Sequence, residues 1–469
     1  MTRTIWTMVL WLGLGACKTA EQTTPTSDTT TTAGTTADTG TTDTTDTTDT
    51  TATGTTTPML RVHAVTGLGD DLEGVHVLVS DPDGAVVLHA VTGADGTVGV
   101  PAIEGTMVTQ LAAITDILPD GTLRRSQRLL SRVTPPEGDD FTGRFPPYVP
   151  ARVDLPEAMD LQVGIADNCV LPEGTERAYV HLTCGRFGSY PLPLDVAWSY
   201  LGCGDELGFD LVVYALDGDS YPRGHARLAD QVFEAGGSRS YQVCPDDTAF
   251  DEVILIASDL PPTVSEVDLR ATGEGRSAAR ELVHAEFSLT PPTDPAVVAR
   301  RLPAGVHPSV GWSIGVLSRG DPVTSSVAWG QRGLAALPEY VDRSVNDVAT
   351  IVSLPAPDYN DPARPRVSWA FSDEGALGDV LYVSTQWLRE EVSTQWTVIG
   401  PATRSGSVRL PVFPDALALF RPSLDHTVGS TTVQQHHVGG GDAYPVNWLT
   451  DHPTTPGAEG WQSGATRTQ

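Results

Sequence analysis

Apolar and polar positions alternate with a period of two over much of the chain, in short runs cut by Gly, Pro and Asp. That period sends successive side chains to opposite faces, the mark of half-buried strands. Val75, Val77 and Val79 open the pattern, and Val86–Val91 and residues 97–100 continue it. Asp81-Pro82-Asp83-Gly84 and Gly93-Ala94-Asp95-Gly96 fall between these runs. Both are turns by their chemistry, because Pro presets φ and Gly accepts a positive φ. Further runs cover 178–183, 195–199, 209–215, 239–243, 253–257 and 282–287. Strands at this spacing predict sandwiches. Later, Val367, Trp369 and Phe371 alternate with Arg366, Ser368 and Ala370.

One repeat makes a register prediction. Val-Ser-Thr-Gln-Trp occurs at 383–387 and again at 392–396, separated by Leu388-Arg389-Glu390-Glu391. A four-residue hairpin loop sets Trp387 opposite Val392, Thr385 opposite Thr394 and Val383 opposite Trp396. One face then carries Val, Thr and Trp, the other Ser384, Gln386, Ser393 and Gln395.

Proline-rich points divide the chain. Pro146, Pro147 and Pro150 mark one boundary and Pro291-Pro292 a second. The expected β-domains are 59–147, 148–292 and 293–452, followed by a frayed Pro, Gly, Ser and Thr-rich tail at 453–469. The fold class is all-β: tandem β-sandwich domains.

The N-terminus has a different character. Residues 5–14 are apolar, Arg3 precedes them, and Leu14-Gly15-Ala16-Cys17 follows. The run is far shorter than the ~20 apolar residues that span a bilayer as a helix, and no later run is long enough. Residues 1–16 therefore read as a signal peptide. Residues 19–58 are Thr-rich with Asp, Gly and Ala, and Thr-Thr-Asp repeats through 41–49. Such a segment has too little apolar surface to offset its ordering entropy. It predicts a disordered, extended tether over 17–58, reaching beyond the roughly 35 Å of a flexible chain this long. The Thr hydroxyls are candidates for O-glycosylation.

The stretch ending in Cys17 resembles the lipobox of bacterial lipoproteins. The resemblance implies that Cys17 becomes the lipidated first residue, carrying a diacylglyceryl thioether and an acylated (palmitoylated) amine. Several acyl chains together anchor stably where one does not. Lys18, a residue other than Asp, implies the outer membrane of a Gram-negative cell envelope. A second resemblance rests on Gly74-Val75-His76-Val77 and Thr92-Gly93-Ala94-Asp95-Gly96-Thr97-Val98. These look like the carboxypeptidase regulatory-like, or transthyretin-like, β-sandwich over about 60–115. That module is an accessory domain without catalytic residues, and none of the peptidase's zinc pattern is present.

Composition removes some functions. The formal net charge is -30, and Lys18 is the only lysine. Phosphate backbones need clustered Lys and Arg, so nucleic-acid binding is set aside. The acidic surface repels an anionic membrane, which leaves the lipid anchor as the membrane contact. Besides Cys17, four of the five cysteines lie together: Cys169, Cys184, Cys203 and Cys244. In an exported protein this is a disulfide pattern with three connectivities. Cys184–Cys203 with Cys169–Cys244 is favoured, because the first closes a compact loop.

The candidate sites compete with plainer readings. Gly311-Trp312-Ser313-Ile314-Gly315 matches the G-x-S-x-G of serine hydrolases, which needs a strand before it and a helix after it. Val310, Trp312, Ile314 and Val316 instead alternate as one strand, and Gly320-Asp321-Pro322 leaves no room for the helix. His436 and His437, with Asp442, Asp451 and His452, form the densest His/Asp group, but adjacent strand residues face apart. His63, His76 and His89 read as polar strand positions, although a cross-strand cluster is conceivable. Asp81/Asp83, Asp139-Asp140 and Asp217/Asp219 offer carboxylates of the kind Ca²⁺ takes, and also ordinary turn chemistry. Trp312, Trp329, Trp369, Trp387 and Trp396 are either sugar-stacking platforms or core, and their alternation favours core. The sequence therefore predicts no cofactor, no metal site and no catalytic residues. It predicts a lipid-anchored envelope protein with a binding or structural role toward a surface glycan or protein. A Ser313 esterase and a Ca²⁺-dependent adhesin are the alternatives.

Overall fold

The computed structural model describes residues 58–66, 69–117, 123–133, 140–145, 158–182, 186–200, 208–218, 221–274, 281–284, 288–289, 292–304, 309–361, 363–389, 392–422, 427–438 and 459–468. Cys17, the signal peptide, the tether, Cys184, Cys203, Asp139, Asp219, Asp442, Asp451 and His452 lie outside them. The regular structure of the described residues is all β apart from two short 3-10 turns, Val345–Asp347 and Asp415–Phe420.

The first sandwich holds β1 (Met59–Thr66), β2 (His76–Ser80), β3 (Val86–Val91), β4 (Thr97–Pro101), β5 (Met107–Ile117), β6 (Leu123–Val133) and β7 (Phe141–Phe145). β1 lies between β4 and β7, and β6-β5-β2-β3 forms the other layer. Leu60, Val62 and Ala64 meet Val77, Val79 and Val108 between the layers, closed by Phe141 and Phe145. The Asp-Pro-Asp-Gly turn forms as its chemistry dictates: Gly84 takes φ of 81° and donates its N–H to the Asp81 carbonyl.

The second sandwich holds β8 (Met159–Ile165), β9 (Arg177–Leu182), β10 (Arg186–Pro191), β11 (Asp195–Tyr200), β12 (Gly208–Leu216), β13 (Pro222–Val232) and β14 (Ser238–Val243). β10-β9-β12-β13 packs on β11-β8-β14 through Leu161, Val163, Val180, Leu211 and Val213. A disulfide joins Cys169 to Cys244, with Cα atoms 5.2 Å apart. It ties the segment after β8 to the end of β14.

The third sandwich holds β15 (Phe250–Ser258), β16 (Glu266–Glu274), β17 (Glu281–His284), β18 (Ser288–Leu289), β19 (Ala296–Pro303), β20 (Ser309–Ser318), β21 (Val323–Leu334) and β22 (Tyr340–Ser344). β15 pairs with β19 and β22, and β16 pairs with β20. The boundary expected at 291–292 therefore falls inside a sandwich. Val253, Leu255, Val267 and Leu269 from before it share one core with Trp312, Ile314 and Trp329 from after it.

The fourth unit holds β23 (Ile351–Ser353), β24 (Arg366–Phe371), β25 (Val380–Arg389), β26 (Val392–Pro401), β27 (Ser405–Arg409), β28 (Thr427–Val438) and β29 (Glu459–Thr468). Val367, Trp369 and Phe371 of β24 fill its core with Trp387, Trp396 and Val433. The frayed tail expected after 452 is corrected here, because β29 lies between β21 and β28 and pairs antiparallel with both. Gly464 permits that insertion: a Cβ there would stand 2.4 Å from the Val433 carbonyl.

One 13-stranded sheet runs through three of these units, in the order β17-β16-β20-β21-β29-β28-β25-β26-β6-β5-β2-β3, with β18 beside β16. Its least local join is β26 to β6, a parallel pair. Unpaired, both would be open edges. Trp396 Nε1 donates to Ser131 Oγ at 3.0 Å across this join, and Thr394 Oγ1 donates to Gln127 Oε1 at 2.9 Å.

Candidate functional site

Ser313 sits in the middle of β20, opposite Arg270 on one side and Gly330 on the other. It is a strand residue with paired neighbours, not the apex of a strand-to-helix elbow. Beside it, Trp312 is 2% exposed and donates Nε1 to Gln331 Oε1 at 3.2 Å.

All five tryptophans are core. Trp312, Trp329, Trp369, Trp387 and Trp396 are between 0% and 7% exposed. A ring buried on both faces cannot stack on a sugar, which removes these five as a glycan platform. The β25–β26 hairpin forms with a correction to its register. Arg389 opposes Val392, Trp387 opposes Thr394 and Thr385 opposes Trp396. The pairing runs on to Arg389 and Val392, two residues closer to the turn than a four-residue loop allows. The slip is by two positions, so every side chain keeps its face. On the other face Gln386 donates to Ser393 Oγ at 2.8 Å and Gln395 to Ser384 Oγ at 3.0 Å, a polar ladder.

The acidic turns are held by their own backbone. Asp81 Oδ1 accepts the Ala85 N–H at 2.8 Å. Asp217 Oδ1 accepts the Tyr221 N–H at 2.8 Å, and its Oδ2 pairs with Arg223. Asp140 contributes its backbone carbonyl to Arg132. Asp95, which the sequence leaves within a turn, receives both the N–H and the hydroxyl of Thr97. Those hydrogen bonds, the hydroxyl's first, hold its carboxyl below the usual carboxylate value. The Asp95–Thr97 contact is an Asx turn, and Asp81 and Asp217 close longer loops of four residues. Among the described residues no three His, Cys, Asp or Glu side chains gather as metal ligands would.

The histidines separate into pairs. His63 Nε2 meets Asp71 at 2.7 Å. His436 and His437 diverge as adjacent strand residues must. His436 is 6% exposed, whereas His437 Nδ1 meets Asp379 at 2.8 Å and its ring stacks on Trp461. His76 and His89 come together across β2 and β3, Nδ1 to Nε2, at 3.1 Å.

Two features carry little sequence signal. Tyr221 lies between Arg223 and Arg301, whose guanidinium carbons are 5.7 Å and 4.9 Å from its ring centre. Its hydroxyl donates to Glu252 at 3.1 Å, joining the second sandwich to the third. Residues 80 positions apart give no local pattern to find this by. The other feature is a shallow depression of about 370 Å³ on the outer face of β11-β8-β14, lined by Asp160, Gln162, Ala197, Ser199 and Ser238. Ser199 donates to Asp160 Oδ1 at 2.9 Å, and Gln162 donates to Asp195 at 3.0 Å. Hydroxyl, amide and carboxylate groups on a flat sheet can hydrogen-bond a polar ligand.

No family model matches the chain, and no curated protein matches it. Solved structures give faint likenesses. The Bacillus anthracis TIE protein matches over 61% of this chain at 12% identity, with a TM-score of 0.14, and the match spans half of that protein's length. A streptococcal ancillary pilin matches at 10% identity over 61% of this chain and 98% of its own, with a TM-score of 0.14. The pilus adhesin SpaC from Lactobacillus rhamnosus GG matches at 9% identity over 73% of this chain and 44% of its own, with a TM-score of 0.12. Likenesses this faint do not identify the chain, which is described by its own architecture: an all-β protein of four sandwich units, three of them sharing one sheet.

Proposed function

We propose that this chain is a lipid-anchored protein of the cell envelope with a non-catalytic binding or structural role. Cys17 is its attachment point, and residues 17–58 hold the folded part away from an outer membrane. The first sandwich serves as a carboxypeptidase regulatory-like accessory module. The observation that carries the non-catalytic reading is the use made of reactive side chains. Ser313 is locked in mid-strand, the turn carboxylates cap backbone, and the five tryptophans fill cores. The surface left for recognition is polar, and its partner is a surface glycan or protein.

The test uses the full chain expressed with an alkyne-labelled fatty acid. Wild type should acquire the label and sediment with membranes, and Cys17→Ala should do neither. Label or membrane retention in Cys17→Ala would remove the anchor. A fluorogenic ester screen addresses catalysis separately: turnover by wild type that disappears in Ser313→Ala would overturn the non-catalytic reading.

A further inference from the structure

The first sandwich presents two imidazoles to one another on an accessible sheet edge. β3 is the last strand of the 13-stranded sheet. Opposite residues in the β2–β3 pair are His76 with Val91 and Leu78 with His89. His76 and His89 are therefore diagonal neighbours on one face, within reach of long side chains. On the same face Leu78 pairs with His89 and Leu111 pairs with His76, and both leucines are packed, 0% and 1% exposed, so the two rings are flanked by buried apolar side chains. Val87 and Val91, on the same edge strand, are 57% and 46% exposed, which leaves the outer side open.

The spacing suits a shared ion. His76 Nδ1 lies 3.1 Å from His89 Nε2, with ring centres 5.2 Å apart and planes tilted by 41°. Two nitrogens bound at ~2.0–2.1 Å stand about 3.3 Å apart in a tetrahedral site, and about 2.9 Å apart at a right angle. The observed separation lies between these values. The rings now share a hydrogen bond, so chelation requires a change of tautomer at one ring and a small rotation of both. A metal takes each ring in its neutral form.

We propose that His76 and His89 form a bidentate site for a divalent first-row transition ion such as Zn²⁺, with water completing its coordination. Imidazole nitrogen selects such ions over Ca²⁺, which takes oxygen ligands. The site is independent of the anchor and of the binding role proposed above.

Titration calorimetry of the purified full chain with Zn²⁺, and separately with Ca²⁺, tests this. Loss of an outer-shell partner alone costs a metal site about 10–100-fold in affinity. Losing one of two ligands in His76→Gln or His89→Gln should weaken Zn²⁺ binding by at least that factor. His63→Gln, whose ring is engaged by Asp71, should leave it unchanged. As a second readout, Zn²⁺ should protect both rings of wild type from diethyl pyrocarbonate. Absence of a Zn²⁺ response in wild type, an unchanged affinity in both ring variants, or an equal response to Ca²⁺ would each overturn the site.

Discussion

At the scale of single residues, burial decides what a polar group can do. His225 is 3% exposed, packs edge-on against Phe250 at 5.3 Å, and has Asp247 3.5 Å from its Nε2. Burial lowers its pKa, and the opposing pull of Asp247 does not reverse this. In the unfolded chain the ring protonates near about 6.5. Below that pH the unfolded state binds more protons than the folded one, so stability is full above about 6.5 and falls as pH drops toward the folded value. His76 acts with the same sign. Thermal midpoints measured between pH 8 and pH 5 should therefore decline, and the decline should be shallower in His225→Asn. An identical slope would show that His225 does not contribute. Trp396 is the second residue of note, 0% exposed and bonded to Ser131. Trp396→Ala should cost about 3–5 kcal/mol in urea unfolding. Its alternation with Gln395 and Thr397 already marked it as core. The partner Ser131 was invisible, because nothing local in the sequence relates residues so far apart.

At the scale of elements, β29 shows why strand existence and strand partnership are separate questions. Glu459-Gly460-Trp461-Gln462-Ser463-Gly464-Ala465 has one large apolar residue, so its pattern reads as a loop. The sheet nevertheless takes it up between two long strands, where Gly464 lies so close to the Val433 carbonyl that no larger residue fits. Trp461 faces Trp329 on one side and His437 on the other. Arg343 fixes its start: Nε donates to Glu459 Oε1 at 2.7 Å, Nη2 pairs with Oε2, and the guanidinium lies 5.2 Å from the Trp312 ring centre. The pair is partly exposed, so Glu459→Gln should cost only about 1 kcal/mol. Ending the chain at Val438 should do far more. It would open edges on both β21 and β28, and such edges recruit other chains. Soluble, monomeric protein from that truncation would contradict the central placement of β29.

At the scale of the whole molecule, the shared sheet predicts how the protein unfolds. The first, third and fourth units are hydrogen-bonded into one layer, whereas the second has its own two sheets. Calorimetry should resolve two transitions, the smaller belonging to residues 159–243. Cys169–Cys244 closes a loop with a sequence separation of 75. In the chain-entropy account this stabilises by about 4 kcal/mol. Reduction should therefore lower the smaller transition and leave the larger one in place. A single transition that shifts as a whole would mean that the Tyr221–Glu252–Arg301 contact couples the second sandwich to the rest.

The sequence by itself determined the all-β class, strands with clean alternation such as Val86–Val91 and Arg366–Phe371, the turns at Gly84 and Gly96, and the inward face of the tryptophans. These follow from period-two alternation and from the φ that Pro and Gly allow, which are local properties. It also carries the lipobox-like Cys17, the Thr-rich segment expected to be a tether and the cysteine group, the first two of which lie outside the described residues. Tertiary structure alone decided which strands meet. A period of two fixes a side chain's face but is blind to a slip of two residues, which is how the β25–β26 loop shortened without moving a single core residue. The same blindness hid the join of β26 to β6 and the central place of β29, and left open which of the strand histidines meet, which the β2–β3 pairing settles as His76 with His89. Each depends on long-range pairing, and pairing is set by which open edges the assembled sheet can close.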